Sequence, residues 1–198
     1  MGERMIPGAT ALGLTFDDGI IIAAEKRVTY GRYIATKKVK KVFRITDHVG
    51  AACAGLIADM QEIIREVAAV IKLKEIRTRT PSRANSVAKL TSVLLYQNRL
   101  YPYITQILIG GYVDKPELYS LDPLGSLISD KYIALGTGAE IAMGVLESTY
   151  RENMPLEEAK ELVVHSIKSA IGRDAASGDG VDMLIIKRDG FEEISIAF

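Results

Sequence analysis

Alternating and continuous runs of apolar residues along the chain predict β-strands, whereas apolar residues at every third or fourth position predict helices. The strand patterns occupy residues 10–16, 19–24, 42–45, 49–54, 104–112, 117–121, 132–135, 181–186 and 192–197. The helical patterns occupy about 58–76, 81–100, 139–150 and 156–173. The dipeptides Asp18-Gly19 and Asp189-Gly190 separate consecutive strands and predict tight turns.

The apolar positions of the first two predicted helices define the faces that we expect to be buried. In the first helix this face comprises Met60, Ile63, Ile64, Val67, Val70 and Ile71. In the second helix it comprises Val87, Leu90, Val93 and Leu94. Each face needs a packing partner, because most of the stability of a helix in a protein comes from burying such a face.

The element order along the chain is strands, two helices, strands, two helices, strands. Two helix pairs that cover a largely antiparallel sheet system form a layered α+β domain of three or four layers. Continuous apolar runs such as 107–109 indicate strands that are covered on both faces. With 198 residues and no low-complexity linker, we expect the chain to fold as one domain.

Composition excludes several classes of protein. Hydrophobic residues are 48% and charged residues 25% of the sequence, which is typical of a globular protein. Basic and acidic residues balance, so the chain lacks the basic excess typical of nucleic-acid binding. No apolar run approaches the ~20 residues that span a bilayer, and the single cysteine, Cys53, fits a reducing compartment. We therefore expect a cytoplasmic protein with neither a nucleic-acid partner nor a membrane partner.

The most familiar catalytic and metal-binding motifs are absent from the sequence. It contains no P-loop, no G-x-S-x-G, no H-E-x-x-H and no C-x-x-C. Its two histidines, His48 and His165, are too few for a zinc site unless carboxylates supply the other ligands. We therefore predict neither a metal nor a cofactor.

Seven segments, taken in order, resemble those of archaeal proteasome β subunits. They are residues 8–13 (GATALG), 25–29 (EKRVT), 40–43 (KKVF), 53–59 (CAGLIAD), 103–111 (YITQILIGG), 142–147 (AMGVLE) and 173–178 (RDAASG). The resemblance implies a four-layer α-β-β-α sandwich, with two antiparallel sheets between helix layers. It also implies that residues 1–8 are a short propeptide-like segment and residues 9–198 a single proteasome β-type domain.

The resemblance also implies a chemistry, since members of this family are threonine proteases of the N-terminal nucleophile hydrolase class. Autolysis removes a propeptide and exposes a threonine, whose hydroxyl attacks the substrate carbonyl while its own α-amine accepts the proton. The supporting groups are identified by resemblance as Lys41, the carboxylate Glu25 beside it, the polar pair Asp174 and Ser177, and the N–H of Gly55 as the oxyanion donor.

The nucleophile of the family has no counterpart in this chain. In the family the threonine stands four residues before the glycine that corresponds to Gly13, and thirty-two residues before the lysine that corresponds to Lys41. Both intervals lead to Ala9 here, since 13 − 4 and 41 − 32 both give 9. Alanine has no hydroxyl, so it can neither attack a carbonyl nor start autolysis, and no α-amine is released. The resemblance with this departure implies a catalytically silent subunit.

Thr10 is an alternative nucleophile, adjacent to the expected position. Side chains alternate along a strand, so Thr10 shares a face with Leu12 and Leu14, whereas Ala9 belongs to the other face. We therefore expect Thr10 to point away from Lys41. Two alternatives stay open at this point: an active threonine endopeptidase that uses Thr10 after propeptide removal, and an engineered Thr-to-Ala inactive variant.

By the same resemblance, the chain would occupy a seven-membered β ring of the proteasome core particle and contribute to ATP-dependent protein degradation. The implied partners are proteasome α subunits, a second and active β subunit, unfolded polypeptide substrates, and a regulatory ATPase that acts on the α rings. A vestigial specificity pocket would be lined by Val28, Val39 and Cys53. Outside the family, a binding or scaffold protein without any peptidase role is the alternative.

Overall fold

The structure, a computed structural model, describes residues 8–198, and within this range it has twelve strands and four helices. The strands are β1 (Thr10–Phe16), β2 (Gly19–Glu25), β3 (Val28–Tyr30), β4 (Tyr33–Thr36), β5 (Val42–Arg44), β6 (Val49–Gly55), β7 (Thr105–Tyr112), β8 (Pro116–Leu121), β9 (Leu127–Ser129), β10 (Tyr132–Gly136), β11 (Val181–Lys187) and β12 (Gly190–Ile196). The helices are α1 (Ile57–Thr78), α2 (Ala84–Gln97), α3 (Ala139–Thr149) and α4 (Leu156–Ile171).

Two five-stranded antiparallel sheets face each other in the middle of the molecule. The first has the strand order β10-β1-β2-β11-β12 and the second has the order β5-β6-β7-β8-β9. Strands β3 and β4 form a separate two-stranded ribbon. Helices α3 and α4 pack on the outer face of the first sheet, and α1 and α2 pack on the outer face of the second. The predicted α-β-β-α sandwich is therefore confirmed.

Alternation along the central strands divides the apolar side chains among three cores. On β1, Leu12 packs against α3 and α4, whereas Ala11 packs between the two sheets. On β7, Ile107 packs against α1 and α2, whereas Leu108 packs between the sheets. A strand covered on both faces has little room for polar residues, which accounts for the continuous apolar runs in the sequence.

Two of the predicted buried positions on the helices are wrong. Val70 is 44% exposed and Val93 is 52% exposed. The buried face of α2 instead includes Thr91, whose hydroxyl donates to the Val87 carbonyl at 2.9 Å and needs no partner outside the helix. Near the end of α1, Ile71 is buried but the neighbouring Val70 is not, so the buried face of this helix is narrower than its apolar pattern predicts.

The sequence pattern does not predict the short strands β3, β4 and β9. Each has only three or four residues, and most of their side chains are exposed or half-buried, so no run of apolar positions marks them. Helix α2 is also shorter than its pattern, since it begins at Ala84 and ends at Gln97. None of the four helices in residues 8–198 is both long enough and apolar enough to cross a membrane.

Candidate functional site

The polar residues singled out by sequence reasoning lie at one end of the sandwich, where several chain segments meet. Glu25 ends β2, Gly55 ends β6, and Lys41 directly precedes β5. Asp174 and Ser177 lie in the loop that joins α4 to β11. Within residues 8–198, no three His, Cys, Asp or Glu side chains are grouped in a way that suits a metal ion.

Lys41 and Glu25 form a buried ion pair at this end of the molecule. Their side chains are 1% and 0% exposed, and Lys41 Nζ donates a hydrogen bond to Glu25 Oε1. Lys41 Nζ also donates to the carbonyl oxygen of Arg27 at 2.5 Å. The second carboxylate oxygen, Glu25 Oε2, accepts the N–H groups of Arg27 at 2.7 Å and Gly178 at 3.0 Å. Every oxygen of the buried carboxylate is therefore satisfied.

Burial and mutual attraction act in opposite directions on this pair. Loss of hydration raises the pKa of Glu25, while the charge and hydrogen bond of Lys41 act against that shift. Loss of hydration lowers the pKa of Lys41, while the charge and hydrogen bond of Glu25 act against it. Each group therefore depends on the other to remain charged in the interior, which makes removal of either one costly.

A second cluster is centred on the carboxylate of Asp174. Ser177 Oγ donates to Asp174 Oδ2 at 2.7 Å, and Thr137 Oγ1 donates to the same oxygen at 2.5 Å. The N–H of Ala176 donates to Asp174 Oδ1 at 3.0 Å. The hydroxyl of Thr10 lies 2.8 Å from Ser177 Oγ. Three donors thus hold the carboxylate in place, and one of them is itself bonded to the first residue of β1.

The Gly8–Ala9 peptide bond lies next to both clusters. Gly8 lines a small cleft together with Lys41 and Gly55, and the volume of this cleft is about 10 Å³. Ala9 is fully buried between the two sheets, and its carbonyl oxygen lies 3.4 Å from Thr137 Oγ1. The segment preceding Gly8, residues 1–7, lies outside the described residues, so the expected propeptide-like segment 1–8 is described only at Gly8.

Two glycines make this arrangement sterically possible. A Cβ atom on Gly8 would lie 2.1 Å from the Cβ of Ala176 and 2.9 Å from Thr137 Oγ1. Gly55 has a φ of 143°, and a Cβ there would lie 2.2 Å from the carbonyl oxygen of Ile104. Both positions therefore require a residue without a side chain.

Replacing Gly8 with alanine is expected to destabilise the protein by about 1–3 kcal/mol, the usual cost of forcing extra atoms into a packed site. Thermal or denaturant unfolding measures this loss. A matched control is Gly144→Ala in α3, where an added Cβ meets nothing within 4 Å and alanine favours the helix. The double variant Gly8→Ala, Ala176→Gly removes the closest collision and should recover part of the loss. Equal effects of Gly8→Ala and Gly144→Ala would contradict this account.

Comparison with known proteins identifies the family. The family model described as Proteasome subunit matches residues 5–186 of the chain. The chain belongs to the proteasome subunit family. It is 48% identical over 190 residues to Proteasome subunit beta 1 of Nitrosopumilus maritimus, covering 96% of both chains. It is 48% identical over 184 residues to Proteasome subunit beta 1 of Ignicoccus hospitalis, covering 93% of both chains. It is 47% identical over 188 residues to Proteasome subunit beta 2 of Thermofilum pendens, covering 94% of this chain and 92% of the relative.

Only one of the three residues expected to form the specificity pocket of a proteasome subunit lines the cleft beside Lys41. Val28 is among its lining residues. Val39 is half-buried and is not part of the lining, and Cys53 lies fully buried in the core between β6 and α1. Burial raises the pKa of the Cys53 thiol, so this cysteine stays a neutral, apolar-like core residue.

Ala9 and Thr10 have different surroundings in this proteasome subunit, because they lie on opposite faces of the first sheet. Ala9 belongs to the core between the two sheets. The Thr10 hydroxyl is bonded to Ser177, and an added Cβ on Gly138, which directly precedes α3, would lie 2.1 Å from it. Lys41 Nζ has Glu25 and the Arg27 carbonyl as its hydrogen-bond partners.

Sequence reasoning does not single out Arg27, although both its main chain and its side chain take part in the site. Its N–H donates to Glu25 and its carbonyl oxygen accepts from Lys41. Its guanidinium donates to Asp179 Oδ2 at 2.7 Å and to the Ala175 carbonyl at 3.2 Å. The hydrogen bond from Arg27 holds the pKa of Asp179 below its ordinary value. Arg27 thus links the ion pair to the loop that carries the second cluster, a role that no local pattern indicates.

Sequence reasoning also misses Thr137, which donates to Asp174 and approaches the Ala9 carbonyl. The signal in the sequence is its position between two glycines, Gly136 and Gly138. A Cβ on Gly136 would lie 2.0 Å from the Ala9 carbonyl oxygen, and φ at Gly136 is 90°. The two glycines therefore allow a tight turn to pass directly beside β1, and this turn carries Thr137.

Proposed function

We propose that this chain is a β-type subunit of the proteasome core particle that does not cut peptides itself. Ala9 carries the proposal. It is buried directly after Gly8, which shares a cleft with Lys41 and Gly55, and it presents a methyl group where the family has a nucleophilic hydroxyl. Without that hydroxyl there is no attack on a carbonyl, no autolysis, and no released α-amine to act as the base.

The β type and the partners are inferred from the relatives, whose names are Proteasome subunit beta 1 and Proteasome subunit beta 2. We infer that the chain fills a place in a seven-membered β ring beside a second, active β subunit, and that the ring contacts proteasome α subunits. The assembly would degrade unfolded polypeptides in the cytoplasm, with a regulatory ATPase acting on the α rings. Residues 9–198 would form its single domain, and residues 1–8 would remain attached.

The polar groups around the Gly8–Ala9 bond support the assignment of position 9. The buried pair of Lys41 and Glu25 lies on the cleft side, and the carboxylate of Asp174 lies on the side of the Ala9 carbonyl. They surround the bond that autolysis would cut. The chemical consequence is the same whether alanine at this position is natural or was introduced by engineering.

The geometry argues against Thr10 as a substitute nucleophile. Its hydroxyl is fully buried and bonded to Ser177, on the face of the first sheet opposite to Ala9. A cut before Thr10 would also move the new α-amine by about 3.3 Å along the strand. Reacting atoms must approach to about 3–3.5 Å, so a shift of this size disables the site.

The intact mass of the chain, measured after assembly with its α and active β partners, is expected to equal that of the full-length sequence. The expectation follows because no residue at position 9 is able to start self-cleavage. The active β subunit in the same particle is the internal control, since its mass should show removal of its own propeptide.

A mass that begins at Thr10 would contradict the proposal. Hydrolysis of a fluorogenic peptide that is lost on Thr10→Ala would then establish that the chain is an enzyme. A chain that stays monomeric with and without an α subunit would contradict its place in a ring.

A further inference from the structure

The direction of the hydrogen bond between Thr10 and Ser177 follows from the groups around it. An ionised carboxylate only accepts hydrogen bonds, so Ser177 must use its single proton to donate to Asp174. The 2.8 Å contact between Ser177 Oγ and Thr10 Oγ1 then needs a proton from Thr10. Thr10 is therefore the donor at the end of a chain that runs from Thr10 to Ser177 to Asp174.

The site is shaped to receive this hydroxyl. Thr10 is fully buried, so water does not compete for its hydrogen bond. A Cβ on Gly138 would lie 2.1 Å from Thr10 Oγ1 and 3.3 Å from Thr10 Cβ, so only glycine at position 138 leaves room. Ser177 is also fully buried, which leaves Thr10 as the side-chain donor to its oxygen.

The hydrogen-bond chain returns to the main chain next to Thr10. Asp174 Oδ2 also accepts a hydrogen bond from Thr137 Oγ1. Thr137 Oγ1 in turn lies 3.4 Å from the carbonyl oxygen of Ala9. The peptide unit that joins Ala9 to Thr10 is thus flanked by one series of hydrogen-bonded side chains, which begins at Thr10, passes through Asp174 and ends at Thr137. The orientation of Asp174 at this peptide unit depends on both hydroxyl donors.

We propose that Thr10 is a positioning residue, whose hydroxyl holds Ser177 on Asp174 and so fixes the carboxylate beside the backbone of position 9. The inference rests on the proposed function, because it takes position 9 as the place of the family nucleophile. It assigns Thr10 a role opposite to that of a nucleophile: its proton is committed to Ser177, and its effect on any reaction passes through Asp174.

The kinetic test uses the Ala9→Thr background, in which self-cleavage after Gly8 is expected. Adding Thr10→Val removes the hydroxyl but keeps the side-chain shape, and should slow self-cleavage about tenfold, as expected for losing one buried hydrogen bond. Adding Thr10→Ser restores a hydroxyl and should recover most of the rate. Ser177→Ala should also slow cleavage, and combining it with Thr10→Val should add little, because Thr10 acts through Ser177.

A second measurement does not depend on cleavage. The Ala176 N–H donates to Asp174 Oδ1, so hydrogen exchange at this amide reports how firmly the carboxylate is held. In the chain that keeps Ala9, Thr10→Val should speed this exchange about tenfold, whereas Thr10→Ser should keep the exchange rate close to that of the original chain. Thr149→Val makes the same chemical change at an exposed position in α3 and should alter neither measurement.

The two measurements separate failure of the inference from failure of the proposed function. If Ala9→Thr does not cleave itself, position 9 is not the place of the nucleophile, whereas exchange at the Ala176 amide still decides the role of Thr10. Unchanged exchange in Thr10→Val overturns the inference, and so does full additivity of Thr10→Val with Ser177→Ala. A mature chain that begins at Thr10 overturns both.

Discussion

Ala9→Thr is expected to make the chain cut itself after Gly8 and then cut peptides. The other groups that the proposed function requires are present in the structure: the buried pair of Lys41 and Glu25, and the Asp174 carboxylate held by three donors. Self-cleavage would release the α-amine that serves as the base. We expect peptide hydrolysis to rise by about 10⁴-fold or more, on the scale of the loss seen when a hydrolase loses its nucleophile.

The measurement uses particles in which the active β partner has been inactivated, so that any hydrolysis of a fluorogenic peptide comes from this chain. Ala9→Val is the matched control, because valine has the shape of threonine without its hydroxyl, and it should stay full-length and inactive. Adding Lys41→Ala to Ala9→Thr should abolish most of the gain. An Ala9→Thr chain that assembles normally but stays full-length and inactive would show that position 9 is not the nucleophile position.

The layered fold was predictable because its signals are local. Each buried strand and helix carries its own apolar period, and Asp18-Gly19 marks the first hairpin between β1 and β2. The ribbon of β3 and β4 lacks such a signal, since its side chains are largely exposed. Helix α2 shows a second limit of the apolar pattern. Val93 is apolar but exposed, whereas Thr91 is polar but buried, because its hydroxyl bonds a carbonyl within its own helix.

The candidate site was only partly predictable, because its contacts join residues that are far apart in sequence. Family resemblance supplies the identities of Glu25 and Lys41, but the pattern of the sequence does not indicate that both are fully buried. The bond from Thr10 to Ser177 spans 167 residues, and no spacing rule predicts it. Arg27 is equally hard to predict, because its main chain bonds the ion pair while its side chain bonds the loop that carries the second cluster.

Lys41→Met is expected to destabilise the protein by about 3–5 kcal/mol, because it leaves the Glu25 carboxylate buried without a counter-charge. For a chain of this size each kcal/mol lowers the melting temperature by about 2–4 °C, so a decrease of roughly 10 °C should be seen in thermal unfolding.

Burial already raises the pKa of Glu25, and loss of Lys41 removes a charge that acts against the shift. A carboxyl whose pKa is higher in the folded chain takes up a proton on folding, so Lys41→Met should gain stability as the pH falls toward about 4.3, the ordinary glutamate pKa.

The matched control is the exposed ion pair of Arg65 and Glu62, whose side chains are 71% and 56% exposed. Arg65→Met should change the free energy of unfolding by no more than about 1 kcal/mol. The double variant Glu25→Gln, Lys41→Met removes both buried charges and should be more stable than Lys41→Met alone. Equal small losses for Lys41→Met and Arg65→Met would show that the buried pair contributes little to the fold. The expected large loss would instead show that the fold itself depends on the buried pair, whatever the pair contributes to catalysis.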